Sequence, residues 1–197
     1  MKFQCQRTGQ CCTHPQIVIT LTHEDLWRLA SHLGGLEPLF EMVQFMRVDT
    51  DLPEGNERLV LRPVKTVDGA GVFVLRKDDD SHCVFYDRND QTCLIHPAKP
   101  QACQNFPFAV SRLEGRPVVT WASEATSFCP GIGAGKNWDE DVLRELGRTT
   151  VSAVERYEAV VDEVNHEWES GRPLTAQEAL LTLYMVAEKE NVQSLSI

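Results

Sequence analysis

Positive charge is scarce in this chain: 19 lysines and arginines face 29 aspartates and glutamates, for a formal net charge of -10 at pH 7. That balance repels a polyphosphate backbone and excludes nucleic acid as an electrostatic partner. Long apolar runs are missing as well. No stretch of about eighteen consecutive apolar residues occurs, so no segment reads as a membrane helix and no membrane partner is expected. Met1 is followed by Lys2, Phe3, Gln4 and Cys5 rather than by the apolar core of a secretory signal, so the protein is expected to be soluble and cytoplasmic. A nucleotide loop is absent too. Gly131-Ile132-Gly133-Ala134-Gly135-Lys136 has Pro130 where a P-loop needs its first glycine and Asn137 where it needs serine or threonine. The segment is expected to be a glycine-rich turn that lets backbone pass close to a site. Asp78-Asp79-Asp80 lacks the alternating ligands and later glutamate of a calcium loop, and reads as a hydrated turn before His82.

Cysteine, by contrast, is plentiful: Cys5, Cys11, Cys12, Cys83, Cys93, Cys103 and Cys129. In a reducing compartment such thiols serve as metal ligands or catalysts rather than as a disulfide framework, and an odd number leaves one over in any full pairing. Inert core thiols need no particular neighbours, whereas these lie beside turn formers. Gly9 precedes Cys11-Cys12, Asp87 to Gln91 precede Cys93, and Pro130 follows Cys129. Loops deliver ligands naturally, and their amide N–H groups stabilise the charge that accumulates where thiolates meet. Soft thiolates select zinc or iron over hard cations. Adjacent Cys11 and Cys12 are expected to point apart, one ligating while the other packs or reaches a second metal.

The cysteines are confined to residues 1–135, the expected metal-binding region, and are absent from 136–197, an expected C-terminal helical region packed on the same domain. The fold class read from the pattern is α+β, a small mixed domain with a loop-borne cysteine site against a C-terminal helical pair. Thr22, with Glu24 and Asp25 behind it, caps a helix from His23 to about Leu33, carrying Leu26, Leu29, Ala30 and Leu33 on one face and stopped by Gly34-Gly35. Pro38 opens a shorter helix through Leu39, Phe40, Val43 and Phe45. Arg58–Arg62 and Gly71–Leu75 read as a hairpin with Asp68-Gly69 near its tip, and Val118–Trp121 as a further strand. From Trp138 onward Val142, Leu146, Val151, Val154, Tyr157, Val161, Val164 and Trp168 recur at helical spacing up to Ser170-Gly171. A second helix follows Pro173, with Thr175 and Glu178 forming a capping box ahead of Leu180, Leu183, Tyr184 and Ala187.

Read in order, Phe3-x-Cys5, Gly9-x-Cys11-Cys12, Cys83-Val84-Phe85, Cys93-Leu94-Ile95-His96, Lys99-Pro100-x-x-Cys103-x-x-Phe106-Pro107-Phe108 and Cys129-Pro130-Gly131 resemble the YkgJ-like cysteine-cluster family. The resemblance implies a metal-chelating domain whose cysteines ligate zinc or an iron–sulfur centre, with a related cluster in flagellin lysine N-methylases, and it implies no substrate. Three positions depart from the family pattern. Thr8 stands where a cysteine is usual and offers no equivalent soft ligand, His96 stands where tyrosine is frequent, and Lys99 where arginine is frequent.

The ligand set expected is all seven cysteines, holding an iron–sulfur cluster, with zinc as the alternative. Separated cysteine positions exceed what one structural zinc requires, and Cys129-Pro130 matches the Cys-Pro that closes bacterial ferredoxin runs. Other chemistry is weaker. His82, His96 and His14 lie near cysteines in sequence without an orienting third group for a Cys–His nucleophile, although His14 and His96 are candidate neighbours of the metal. A vicinal Cys11–Cys12 disulfide closes a strained ring unsuited to facile exchange. No glycine-rich loop or βαβ series seats an adenosyl cofactor, which argues against a free-standing methyltransferase. His23, His32 and His166 read as ordinary polar residues. A protein partner, if one is needed, is expected to present a basic face; the reaction, if any, is unassigned.

Overall fold

The computed structural model describes residues 1–51 and 61–194 as a mixed α+β fold. The chain opens with strand β1 (Lys2–Phe3) and the single turn α1 (Gln10–Thr13), then runs into α2 (His23–Leu33). Thr22 caps α2: its hydroxyl accepts from the Asp25 N–H at 3.2 Å, and the Asp25 carboxylate accepts from the Thr22 N–H at 3.0 Å. Gly34 closes it in the left-handed conformation, φ 84°, which a side chain would resist. Helix α3 (Glu37–Met42) ends sooner than the sequence pattern suggests. Val43 and Phe45 belong instead to strand β2 (Val43–Arg47). Pairing decides this, because β2 lies antiparallel to β4 (Gly69–Leu75), with Phe45 opposite Phe73 and their rings 5.3 Å apart.

The hairpin partner of β4 is β3 (Val64–Thr66), giving a three-stranded sheet in the order β2-β4-β3. Of the strand expected over Arg58–Arg62, residues 58–60 lie outside the described residues, while Leu61 and Arg62 are irregular. The Thr66 hydroxyl donates to the Gly69 carbonyl at 2.9 Å and closes the turn around Asp68. Short elements follow: β5 (Tyr86–Asp87), β6 (Thr92–Cys93), a 3-10 turn (His96–Ala98) and α4 (Gln101–Asn105). Strands β7 (Phe108–Leu113) and β8 (Arg116–Trp121) form a second hairpin, whose Glu114-Gly115 loop has positive φ at both residues, as a two-residue hairpin turn requires.

After α5 (Ala125–Phe128), the glycine-rich segment is not a turn but strand β9 (Ile132–Asn137), paired antiparallel with β1. A Cβ on Gly131 would collide with the Gln4 carbonyl, so glycine is what allows the two chains to approach. Helices α6 (Glu140–Glu169) and α7 (Ala176–Ser194) complete the chain. The first starts at Asp139, whose side chain accepts from the Val142 N–H, and stops at Ser170; the second starts with the reciprocal Thr175–Glu178 bonds. Helix α6 packs on β3, β7 and β8, and α7 packs on α2. One apolar cluster joins Leu21, Leu26, Leu29, Phe73, Tyr157, Val161 and Leu183. The face of α6 turns slightly from the expected stripe: Ala153 and Val160 are buried, and Val142 is exposed. His23 is no ordinary surface histidine. It is fully buried, with Nε2 3.2 Å from Glu190 of α7. Among the described residues no helix is long and apolar enough to cross a membrane.

Candidate metal centre

The cysteines are mounted on the shortest elements of the fold. Gly9, with φ 68°, heads α1, and its carbonyl accepts from the Cys12 N–H at 2.7 Å and the Thr13 N–H at 3.2 Å. The Tyr86 ring fills the space a Cβ on Gly9 would need, so glycine here presses α1 against β5. Cys83 ties to α1 directly, its N–H donating to the Cys12 carbonyl at 2.8 Å. Cys93 follows through the β5–β6 pairing, which sets it opposite Tyr86. Cys103 rides on α4, which is held to α2 because the Gln101 N–H donates to the buried Asp25 carboxylate at 2.9 Å.

Cys11, Cys12, Cys83, Cys93 and Cys103 line one small cavity with Lys77 and Lys99, closed by Ile17, Ile19, Leu75, Ile95 and Phe106. Cys11 and Cys12 do not diverge as expected. They share a single helical turn, where successive side chains stand about 100° apart rather than on opposite faces as in a strand, and both reach the cavity. Cys5 and Cys129 lie outside its lining. Cys5 is exposed and Cys129 half-buried, and the Gln4–Gly131 bond, 3.1 Å, holds their segments together. Phe128, beside Cys129, stacks between His14 (4.5 Å) and Phe106 (5.9 Å), which fastens α5 to the cysteine-bearing loops. His14, His82 and His96 are not in the cavity lining.

Electrostatics set Cys11 and Cys93 apart from inert core cysteines. Hydrogen bonding from Cys12 draws the Cys11 thiol down to about 7 and the Cys93 thiol down to about 6, with Lys99 helping at both. Cys12 is pushed up, because it keeps the proton that its two neighbours share. Burial pushes Cys103 well up, and the charges of Cys11, Cys83 and Cys93 add to it. Burial also raises Cys83 and Cys129, against the pull of backbone donors. Those donors repeat a pattern: Cys83 is bonded by the backbone of Phe85, Cys93 by that of Ile95, and Cys129 by those of Gly131 and Ile132. In each case an amide two residues on faces the sulfur, the arrangement that steadies a thiolate. Lys77 is pulled down by burial, and its ammonium donates to the carbonyls of His14 at 2.6 Å and Pro15 at 3.0 Å.

Among the described residues, the one set of three potential ligand atoms lying within 4.8 Å of one another is Asp78, Asp80 and His82. It is the exposed turn before His82 that the sequence suggests. Arg88 bridges Asp78 at 2.6 Å and Asp80 at 2.7 Å, and Asp78 also accepts the backbone N–H groups of Asp80 and His82. The cysteine sulfurs are more widely spread. Amides facing sulfur were expected from the turn-rich surroundings of the cysteines, and Lys99 was named in its motif but not as a charge at the site; Lys77 was missed and had no signal in the sequence.

Residues 4–130 match the CxxCxxCC family, described as "Putative zinc- or iron-chelating domain". The chain belongs to this family. No curated protein and no solved structure matches it. The family description names metal chelation, and the cavity gathers soft sulfur donors of the kind that chelation by zinc or iron uses.

Proposed function

We propose that the protein is a metal-binding protein whose cysteine thiolates hold an iron–sulfur cluster. Cys11, Cys12, Cys83, Cys93 and Cys103 form the heart of the ligand set, and Cys5 and Cys129 complete it from the β1–β9 side. The observation that carries the reading is the convergence of five thiols from four separate places in the chain on one cavity with two lysines. The donor set fits the group. Soft sulfur suits iron, all seven cysteines are free thiols, and backbone amides and ammonium groups offset the negative charge of several thiolates in one place.

Thiol number favours a cluster over a single zinc ion. One tetrahedral zinc takes four ligands, whereas all seven cysteines are free and five of them line one cavity. A cluster spreads its thiolates over several irons and accepts the larger set. When bound, it supplies electron transfer or a Lewis-acidic iron. The chain's own residues shield it with Ile17, Ile95 and Phe106 and balance its charge with Lys77 and Lys99. In this reading residues 1–135 are the chelating region and 136–197 its support, in a reducing, cytoplasmic setting. A protein partner would meet an acidic surface and so present a basic face.

Iron, acid-labile sulfide and zinc measured on anaerobically purified protein test the reading. A brown protein with iron and sulfide in equal amounts is expected. Stoichiometric zinc without sulfide would replace the cluster with a structural zinc site, and no bound metal would overturn both.

A further inference from the structure

Beyond the cysteine cavity the structure holds a larger cleft, about 320 Å³, between the strand-like segment 16–20, α4, β7 and the middle of α6. Its size is that of a small-molecule pocket. Ile17, Phe106, Phe108, Val110 and Val154 make its walls apolar. One side is polar and built as a directed chain: the Gln101 amide donates to Asn105 Oδ1 at 2.8 Å, the Asn105 amide to Thr150 Oγ1 at 3.0 Å, and the Thr150 hydroxyl to the Leu146 carbonyl at 2.8 Å. Asn105 and Thr150 are buried. The chain occupies one N–H of each amide nitrogen, and each such nitrogen carries two.

Charge narrows the ligand. Among the described residues the lining contains no lysine, arginine or histidine to offer an anion a counter-charge, and Asp25 and Glu124 repel it. A cation fares little better. The Asp25 carboxylate is consumed by the Thr22 N–H and hydroxyl, the Arg28 guanidinium and the Gln101 N–H. Glu124 is exposed at the rim and accepts from Ser123 at 2.6 Å. We infer that the cleft binds a neutral, largely apolar small molecule through one amide-like or hydroxyl group presented to Gln101 and Asn105. Ile17, Ile19 and Phe106 line this cleft and the cysteine cavity alike, so the bound molecule rests against the same wall as the thiols. The binding claim itself does not depend on which metal those thiols hold.

Hexanamide is the probe, with hexanoate and hexylammonium as charged analogues of the same length, followed by ligand-observed NMR on the full chain. Saturable hexanamide binding is expected, with both charged analogues at least tenfold weaker. Gln101→Leu, which keeps the backbone N–H that holds Asp25, should weaken hexanamide about tenfold. Val154→Phe should abolish binding by filling the apolar side while the protein stays folded by circular dichroism; Ala109→Leu fills the same cleft if that variant does not fold. Absence of saturable binding, equal binding of hexanoate, or unchanged binding in a folded cleft-filling variant would each overturn the site. Metal and sulfide contents of the same samples separate the two readings, because hexanamide binding by protein without iron would remove the cluster and leave the cleft.

Discussion

Helices α2, α6 and α7 and the β2-β4-β3 sheet bury Leu26, Leu29, Phe73, Tyr157, Val161 and Leu183 almost completely, whereas the cysteines ride on one-turn helices, two-residue strands and loops. Each buried aliphatic or aromatic side chain of the first region contributes roughly 1.5–3 kcal/mol. Helices of four or five residues have no such reserve, being far shorter than an isolated helix needs to survive in water. Few residues of the cysteine loops, Phe85 and Ile95 among them, are buried in the core they face. One region is therefore held by burial, and the other by what links its pieces: backbone bonds such as Cys83 to Cys12, aromatic stacks, and the proposed metal. A bound metal's free energy is also folding energy where no site exists in the unfolded chain.

Metal removal should break that comparison most visibly. Chelation, or Cys93→Ser, is expected to abolish hydrogen-exchange protection over the cysteine loops and the cooperativity of thermal unfolding, while α2, α6 and α7 keep their slow amides. An unchanged melt would mean the loops stand without metal. Leu183→Ala acts on the opposite side: it should cost about 2–5 kcal/mol in urea unfolding, with the metal content of the folded protein unchanged. Thr22→Ala should cost roughly 1 kcal/mol by removing the α2 cap. Because Asp25 serves both that cap and α4, the variant should also speed exchange around Cys103, and an effect confined to α2 would show the regions to be independent. Tyr157→Phe sharpens the account of the core. Among the described residues the buried Tyr157 hydroxyl has no partner, so its removal should leave the melting temperature unchanged or raise stability by up to about 1 kcal/mol.

The smallest expected effect is a pH slope at the junction. Burial raises the Asp25 carboxyl above its ordinary value, against the pull of Thr22, Arg28 and Gln101. The folded state then holds this proton at pH values where the unfolded chain, with a carboxyl near about 3.9, has released it. Its contribution is complete below the unfolded value and is lost as pH rises through the folded one. Measured upward from about pH 3, the urea midpoint of the unaltered protein should fall relative to that of Asp25→Asn, and a constant difference would remove Asp25 from the slope.

Local signals were legible where the physics is local. Thr22, Asp25 and Gly34 bound α2 at the residues expected, and Thr175 with Glu178 started α7, because caps act within one turn of chain. The cysteine motifs likewise pointed to a family and to thiolate chemistry without any coordinates. Pairing between distant segments was not legible. Val43 and Phe45 continued a helical pattern until β4 claimed them, and the glycines after Cys129 resembled a turn until β1 lay across them. The same holds for the site. Spacing named the cysteines, but whether Cys11 and Cys12 face one cavity depended on α1 being a helical turn pressed under Tyr86, and which charges meet them depended on where Lys77 and Lys99 fall in space. Sequence sets the chemistry of a side chain and the propensity of the few residues around it; direction and distance between remote side chains arise only when burial and backbone pairing select one packing from many.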